Sequence, residues 1–343
     1  MFQIPVVDLA PYVRGGTPAQ RAETAAALDA ACRTVGFLQV VGHGVPDAAA
    51  DGLAAALDDL FGLPLPTKRR WMRPAGENRG YTPPKSESLA LSLGVQSETR
   101  MKDFFEAFNV GTAASELPGE ALMAEHYAEN TWPEVERFQE RIDVWRGEAG
   151  RVARTLCRVF EDALGLDAGF FARLARHPME VLRTNHYALP EGTRVELDED
   201  MIGMGEHTDF GIVTVLWADR VKGLQLLHEG RWHDVQPAEG ALLVNLGDLT
   251  TRLTNERWLS TVHRVKPPIV DGTIQRRRSA AYFFDGDPEA VYGPLERFVD
   301  AEHPALYAPV TGDEHVRAKL AGSRAGVLNP AAEREGRRVI AAA

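Results

Sequence analysis

Residues 203–217 read GMGEHTDFGIVTVLW. A histidine and an aspartate stand two positions apart, at His207 and Asp209, with glycines on both sides and an apolar run at 212–217. Side chains two apart on a β-strand point to the same face, so both groups can face one interior. A single His-x-Asp pair is weak evidence by itself, but this context predicts a strand region that carries a polar site.

Further short runs rich in valine, leucine and threonine follow position 178, separated by Gly, Asp, Asn and Pro. They are 181–189, 212–217, 224–227, 241–246, 261–265 and 277–284. Regular short strands with turns between them favour a β-sandwich or jelly roll over a parallel α/β sheet. No glycine-rich phosphate loop follows any of these runs. The second half of the chain is therefore predicted to form the β core.

The first half of the chain has a helical pattern. Thr17 and Gln20 form a candidate capping box before an alanine-rich run, and apolar residues recur three and four apart over 133–164. Residues 63–119 are rich in Pro, Gly, Ser and charge, which predicts loop with short elements. Together the two halves predict an α+β protein: a double-stranded β-helix, or jelly roll, flanked by helices in one compact unit.

Composition excludes several classes of protein. The chain has 343 residues and a net charge of −11, which argues against a nucleic-acid binder or a peripheral membrane protein. No apolar run approaches the roughly 18 residues of a spanning helix, and the first residues lack the features of a signal peptide. Cys32 and Cys157 are predicted to be buried free thiols. We expect a soluble cytoplasmic protein with a small-molecule substrate; the oligomeric state is not readable.

The run at 260–265 adds a second imidazole, His263, to the His207–Asp209 pair. Two histidines and one carboxylate that leave three coordination positions open are what a non-haem Fe(II) site for O2 requires. The alternative is a polar network within a strand. We disfavour it because a buried carboxylate without a cation is costly.

A candidate anion site lies on the run at 277–284. Period two places Arg277, Ser279 and Phe283 on one face, and a guanidinium beside a hydroxyl is a good receptor for a carboxylate. The same period groups Asn185 and Tyr187 on the run at 181–189. An iron site beside these groups indicates a pocket for a dicarboxylic keto acid.

Several motifs resemble those of the iron- and 2-oxoglutarate-dependent dioxygenases, specifically the isopenicillin N synthase-like group. They occur in order along nearly the whole chain: IPVVDL at 4–9, GFLQVVGHGV at 36–45, RGY at 79–81, KDFFEAF at 102–108, GLQL at 223–226, NLGD at 245–248 and HRV at 263–265. The resemblance implies an amino-terminal dioxygenase region at 1–120, connecting helices at 121–177, the jelly-roll domain at 178–290 and a covering segment at 291–343.

The resemblance also implies the roles of individual residues. His207, Asp209 and His263 would bind Fe(II), Arg277 and Ser279 would hold the distal carboxylate of 2-oxoglutarate, and Asn185 and Tyr187 would line the same cosubstrate. The implied reaction uses O2, Fe(II) and 2-oxoglutarate to oxidise an unactivated C–H bond of a small molecule. Hydroxylation is favoured, with desaturation or cyclisation as alternatives, and succinate as the coproduct.

Two other functions stay open at this point. One is an Fe(II) oxidase of the same fold that does not use 2-oxoglutarate. The other is a non-catalytic jelly roll that binds a small molecule and a structural metal. Aromatic candidates for the wall of a substrate pocket are Tyr81, Phe104, Phe105 and Phe283.

Overall fold

The computed structural model describes residues 2–74, 76–84, 86–87, 92–93, 105–188, 203–266, 269–270, 273–325, 329, 332 and 334. Its strands are β1 (Val6–Asp8), β2 (Phe37–Val41), β3 (Gly80–Thr82), β4 (Glu106–Gly111), β5 (Glu180–Tyr187), β6 (Met204–His207), β7 (Val213–Ala218), β8 (Leu224–His228), β9 (Arg231–Asp234), β10 (Leu242–Leu246), β11 (His263–Val265), β12 (Ile269–Val270), β13 (Thr273–Ile274), β14 (Arg277–Phe284), β15 (Val291–Tyr292) and β16 (Val310–Thr311). Its α-helices are α1 (Ala10–Val13), α2 (Pro18–Thr34), α3 (Asp47–Phe61), α4 (Leu65–Lys68), α5 (Phe138–Leu164), α6 (Phe170–Arg173), α7 (Asp248–Leu253) and α8 (Gly312–Ala325).

Two sheets form the β core. The larger has eight strands in the order β1-β2-β10-β7-β14-β5-β4-β3, and the smaller has four in the order β6-β11-β8-β9. The pairings are antiparallel apart from β1 with β2. Strands distant in sequence thus become neighbours, as a jelly roll requires. The predicted jelly-roll core with flanking helices is confirmed.

Apolar side chains fill two regions. The larger core packs α2, α3 and α5 onto one face of the large sheet. The smaller core lies between the sheets and joins side chains such as Phe37 and Leu243 of the large sheet to Leu226 and Val265 of the small one. The helices therefore cover the face of the large sheet that points away from the small sheet, and a site can form in the space between the two sheets.

The long helix α5 begins five residues later than the apolar pattern predicts. Arg137 adopts a left-handed conformation with φ 54°, which a right-handed helix cannot include, and the helix starts at Phe138. Gly165, also left-handed, ends the helix. The predicted capping box of α2 is confirmed, since the Thr17 side chain accepts from the Gln20 backbone and Gln20 returns the bond.

The described part of residues 63–119 is loop with short elements, as predicted, and the longest of these elements is β4. This strand is buried along its whole length and lies between β3 and β5 in the large sheet. Its sequence, EAFNVG, does not alternate clearly between polar and apolar residues. The polar side chains of Glu106 and Asn109 can be buried because each forms a hydrogen bond inside the protein.

Two predictions from composition also have structural outcomes. Cys32 and Cys157 are both free and buried, as expected. None of the helices within the described residues has the length and apolar character needed to cross a membrane.

Candidate active site

The two histidines of the predicted iron site face each other across adjacent strands. His207 ends β6, His263 begins β11, and the two are direct partners in the register, with ring centroids 4.2 Å apart. Asp209 lies just past the end of β6, so the expectation that it shares the strand with His207 is wrong. The turn after β6 brings Asp209 Oδ1 to 3.9 Å from His207 Nε2 and 3.7 Å from His263 Nε2.

Hydrogen bonds orient each donor group. His207 Nδ1 donates to the Gly205 carbonyl at 2.8 Å, and His263 Nδ1 donates to the Thr261 carbonyl at 3.0 Å. A carbonyl can only accept, so the proton sits on Nδ1 and the Nε2 lone pair is left for a metal.

The carboxylate of Asp209 is oriented in the same way. Thr214 Oγ1 and Asn245 Nδ2 both donate to Asp209 Oδ2, each at 2.5 Å. Oδ1 is the oxygen that faces the two histidines. Each ligand atom therefore has a fixed direction before any metal binds.

Burial and charge suit these groups to a cation. All three side chains are buried, and their donor atoms lie within 4.8 Å of one another. Burial, followed by repulsion from His263, lowers the pKa of His207 to about 3, which keeps the imidazole neutral and able to bind a metal. Two neutral imidazoles and one carboxylate fit Fe(II) with positions left for other ligands.

The predicted anion site is assembled across the pairing of β5 and β14. Arg277 is opposite Tyr187, and Ser279 is opposite Asn185. Arg277 Nη1 donates to Ser279 Oγ at 3.2 Å, and its guanidinium lies 5.2 Å from the centre of the Tyr187 ring. Asn185 Oδ1 accepts from Arg183 Nε at 3.2 Å.

Among the described residues, Arg277 is a buried cation without a counter-charge. The residue is only 2% exposed, and its Nε has no hydrogen-bond partner. None of the ion pairs found among the described residues includes it. Burying a charge without a partner is costly, so this position fits an anion supplied by a ligand. The carboxylate of 2-oxoglutarate meets that requirement.

One cavity between the sheets contains both sites. It is lined by residues of β2, β5, β6, β7, β8, β10, β11, β14 and α8, together with Asn78, Glu87, Asp209, Phe210 and Asp285. Alternate residues of β14, namely Arg277, Ser279, Ala281 and Phe283, face it in the predicted period of two.

Of the aromatic candidates for the substrate wall that the structure describes, only Phe283 lines this cavity. Tyr81 is buried elsewhere, with its hydroxyl donating to Glu106 at 2.5 Å, and Phe105 lies behind Tyr187 and Arg183. The positions of Tyr81 and Phe105 therefore do not support direct contact with a substrate. Phe104, within the 102–108 motif, lies outside the described residues.

Sequence analysis assigned 291–343 as a covering segment but singled out none of its residues for the site. Val316, Leu320 and Ser323 of α8 line the cavity. A sequence signal existed, because Thr311 and Glu314 form a capping box: the Glu314 amide donates to Thr311 Oγ1, and the Thr311 amide donates to Glu314 Oε2.

A buried ion pair fixes α8 to the segment that carries the metal-binding candidates. Lys319 Nζ lies 2.7 Å from Asp248 Oδ2 and donates to Thr208 Oγ1 at 3.1 Å. Both charged side chains are at most 2% exposed. The Asp248 amide in turn donates to the Asp209 carbonyl at 2.9 Å, so the helix and the turn after β6 are held as one unit.

Two acidic residues at the cavity were also missed. Glu87 forms an ion pair with Arg183 at 2.7 Å between Oε2 and Nη2. Asp285 follows β14 and has no such partner among the described residues. Burial, and then the nearby Asp209 carboxylate, raises the pKa of Asp285 to about 8.

Comparison with known families agrees with this geometry. The family described as "non-haem dioxygenase in morphine synthesis N-terminal" matches residues 4–135, and the 2OG-Fe(II) oxygenase superfamily matches residues 178–286. The second match includes the three metal-binding candidates and the Arg277–Ser279 pair.

Curated relatives match over most of their length. Clavatol oxidase claD of Penicillium crustosum is 30% identical over 336 residues, which cover 94% of this chain and 97% of the relative. Validamycin A dioxygenase of Streptomyces hygroscopicus subsp. limoneus is 32% identical over 300 residues, which cover 85% of this chain and 79% of the relative.

Solved structures match over a similar share of the chain. A full-length Neurospora crassa protein in complex with alpha-KG, which is 2-oxoglutarate, has a TM-score of 0.77 at 25% identity, covering 93% of this chain and 96% of that one. The same protein in complex with alpha-KG and thymine has a TM-score of 0.79 at 24% identity, with the same coverage. With these matches, the chain belongs to the 2OG-Fe(II) oxygenase superfamily, and it is an Fe(II)- and 2-oxoglutarate-dependent enzyme.

Proposed function

We propose that His207, Asp209 and His263 bind Fe(II), that Arg277 and Ser279 bind the far carboxylate of 2-oxoglutarate, and that the enzyme hydroxylates a C–H bond of a small molecule. The observation that carries the proposal is the buried Arg277, which has no carboxylate partner among the described residues and lies in the same cavity as the three donor groups.

Each proposed role follows from the chemistry of the side chain. The Arg277 guanidinium can form a charge-assisted pair with a carboxylate, and Ser279 Oγ can donate a second hydrogen bond to it. Tyr187 stacks below the guanidinium, and Asn185 lies on the neighbouring strand, so both line the cosubstrate. These contacts orient 2-oxoglutarate towards the donor triad.

The metal supplies the difficult chemistry, which is activation of O2 coupled to decarboxylation of 2-oxoglutarate to succinate and CO2. The protein supplies orientation and a water-poor environment. Apolar side chains such as Leu216, Leu224 and Val265 line the cavity, and a substrate held there is shielded from competing water.

The apolar lining of the cavity supports a small-molecule substrate. Phe283 and the apolar residues of α8 enclose the cavity between the sheets, which leaves room for a compact molecule. We also propose that residues 178–290 carry the chemistry, that residues 1–120 and 121–177 support them, and that residues 291–343 cover the core.

The direct test is release of labelled CO2 from 1-¹⁴C-2-oxoglutarate by the purified protein with added Fe(II). A panel of small molecules is then screened for stimulation of that release and for products heavier by one oxygen atom. The proposal expects label release and an oxygenated product. O2 uptake without label release would indicate the oxidase alternative, and no O2 uptake with any compound would indicate a non-catalytic metal protein.

A further inference from the structure

The cavity holds one acidic side chain that the proposed function leaves without a role. Five of its lining residues carry acidic or guanidinium groups: Glu87, Arg183, Asp209, Arg277 and Asp285. Glu87 and Arg183 neutralise each other at 2.7 Å. Asp209 would pair with the metal, and Arg277 with the cosubstrate. Among the described lining residues, the carboxyl group of Asp285 is left over.

The position of Asp285 is built into the fold. The residue follows the last residue of β14, where its amide donates to the Met179 carbonyl at 3.2 Å. Its carboxyl group packs over Gly211, where an added Cβ would lie 1.8 Å from Asp285 Oδ1. Gly211 in the turn after β6 therefore makes the space that the carboxyl group occupies, next to the metal-binding candidates.

The surroundings of this carboxyl group point to a substrate contact. Asp285, Asn78, Val181, Val316 and Leu320 line both the active-site cavity and a second cavity next to it. Three of these five side chains are apolar and offer no hydrogen bond. Within the described part of the chain, no side chain or amide donates to this half-buried carboxyl group, so it is available to a ligand in the cavity.

We propose that the prime substrate carries a protonated amine that pairs with the carboxylate of Asp285. This inference rests on the proposed function, because it takes Fe(II) and 2-oxoglutarate as the partners of the other charges. With both bound, Arg277 is matched and the metal neutralises Asp209, whose charge is one of the two causes that raise the pKa of Asp285. Asp285 can then ionise when a cation pairs with it, and a cation is favoured there over a neutral or anionic group. The amine end would be held at Asp285, and the attached carbon skeleton would extend past Phe283 towards the metal.

Matched probes of nearly equal shape test the charge preference. Cyclohexylammonium and cyclohexanol are titrated by calorimetry, without O2, into protein loaded with Fe(II) and 2-oxoglutarate. A charge-assisted hydrogen bond to a half-buried carboxylate should make the ammonium bind about tenfold more tightly than the alcohol. In Asp285→Asn, the two affinities should become about equal.

The control variant is Glu289→Gln, which removes a negative charge from an exposed position four residues away and outside the cavity. It should keep the wild-type preference. If Asp285→Asn does not fold, Asp285→Ser replaces it, and the wild-type comparison of the two probes needs no variant.

Three results would overturn the inference: equal or weaker binding of the ammonium by the wild type, no binding of either probe, or an ammonium preference that persists in Asp285→Asn. The affinity for 2-oxoglutarate, measured in the same samples, separates this failure from failure of the proposed function. Absence of the ammonium preference in the wild type, with intact 2-oxoglutarate binding, contradicts only the role of Asp285. Absence of 2-oxoglutarate binding by the wild type contradicts the proposed function itself.

Discussion

The cavity has two kinds of wall. Its floor consists of β5, β6 with the turn that carries Asp209, β11 and β14. The functional candidates there are held by strand pairing or by hydrogen bonds that involve the backbone. Its cover consists of α8, Asp285 and Glu87, which are held by contacts with segments far away in sequence, such as the ion pair of Glu87 with Arg183 on the floor. The floor is thus fixed by local geometry, and the cover by tertiary contacts that can vary with the substrate.

The largest effect should come from the floor. Asp209→Ala removes the one negative ligand candidate, so label release from 2-oxoglutarate should fall to background and bound iron should be lost. Iron content and CO2 release measure the two effects. His303→Ala, at an exposed histidine, should leave both unchanged. Normal turnover by Asp209→Ala would show that the metal is bound elsewhere.

The next effect concerns how the cover is attached. Lys319→Met leaves the Asp248 carboxylate buried without its cation, and we expect a loss of about 3–5 kcal/mol in the free energy of unfolding. Chemical denaturation measures it, with Lys222→Met at an exposed position as the control. The double variant Lys319→Met/Asp248→Asn should recover part of the loss. A single variant as stable as the wild type would mean that this pair does not fix α8.

A third prediction separates binding of the cosubstrate from binding of the metal. Arg277→Gln removes the cation proposed to hold the far carboxylate, and the KM for 2-oxoglutarate should rise about 10- to 100-fold while iron content stays normal. Arg276→Gln, one position earlier and half exposed, should not change KM. An unchanged KM in Arg277→Gln would place the cosubstrate elsewhere in the cavity.

The smallest effect should come from the groups that orient the ligands. Thr214→Val removes one of the two donors to Asp209 Oδ2, while Asn245 still provides the other. Iron affinity should fall by about tenfold, measured by competition with a chelator. A loss as large as that of Asp209→Ala would mean that Thr214 does more than orient the carboxylate.

The same contrast explains what the sequence could predict. The candidates on the floor lie on or beside short strands, namely the His207–Asp209 pair, His263 and the Arg277–Ser279 pair. In such strands, a period of two and the positions of a few glycines indicate which way the side chains point. The strand 277–284 was predicted with its observed bounds. The site on the floor could therefore be assembled from local pattern and the family resemblance.

The cover could not be predicted in this way. Asp285 faces the cavity because Gly211, 74 positions earlier, leaves space for it, and Lys319 is buried because Asp248 receives it. No local period reports such a pairing between distant residues. Tyr81 shows that a local motif can also mislead. It belongs to a recognised motif, but its hydroxyl donates to Glu106 of β4 and does not reach the cavity.

The central claim is that three side chains bind one Fe(II) while Arg277 holds 2-oxoglutarate beside it. A crystal structure of the protein prepared without O2, with Fe(II) and 2-oxoglutarate and with diffraction recorded at the iron absorption edge, tests it most directly. The account predicts one iron bonded to Nε2 of His207, Nε2 of His263 and Oδ1 of Asp209, and a ligand carboxylate at Arg277. Iron at another position, a fourth protein ligand, or a cosubstrate that does not reach Arg277 would contradict it.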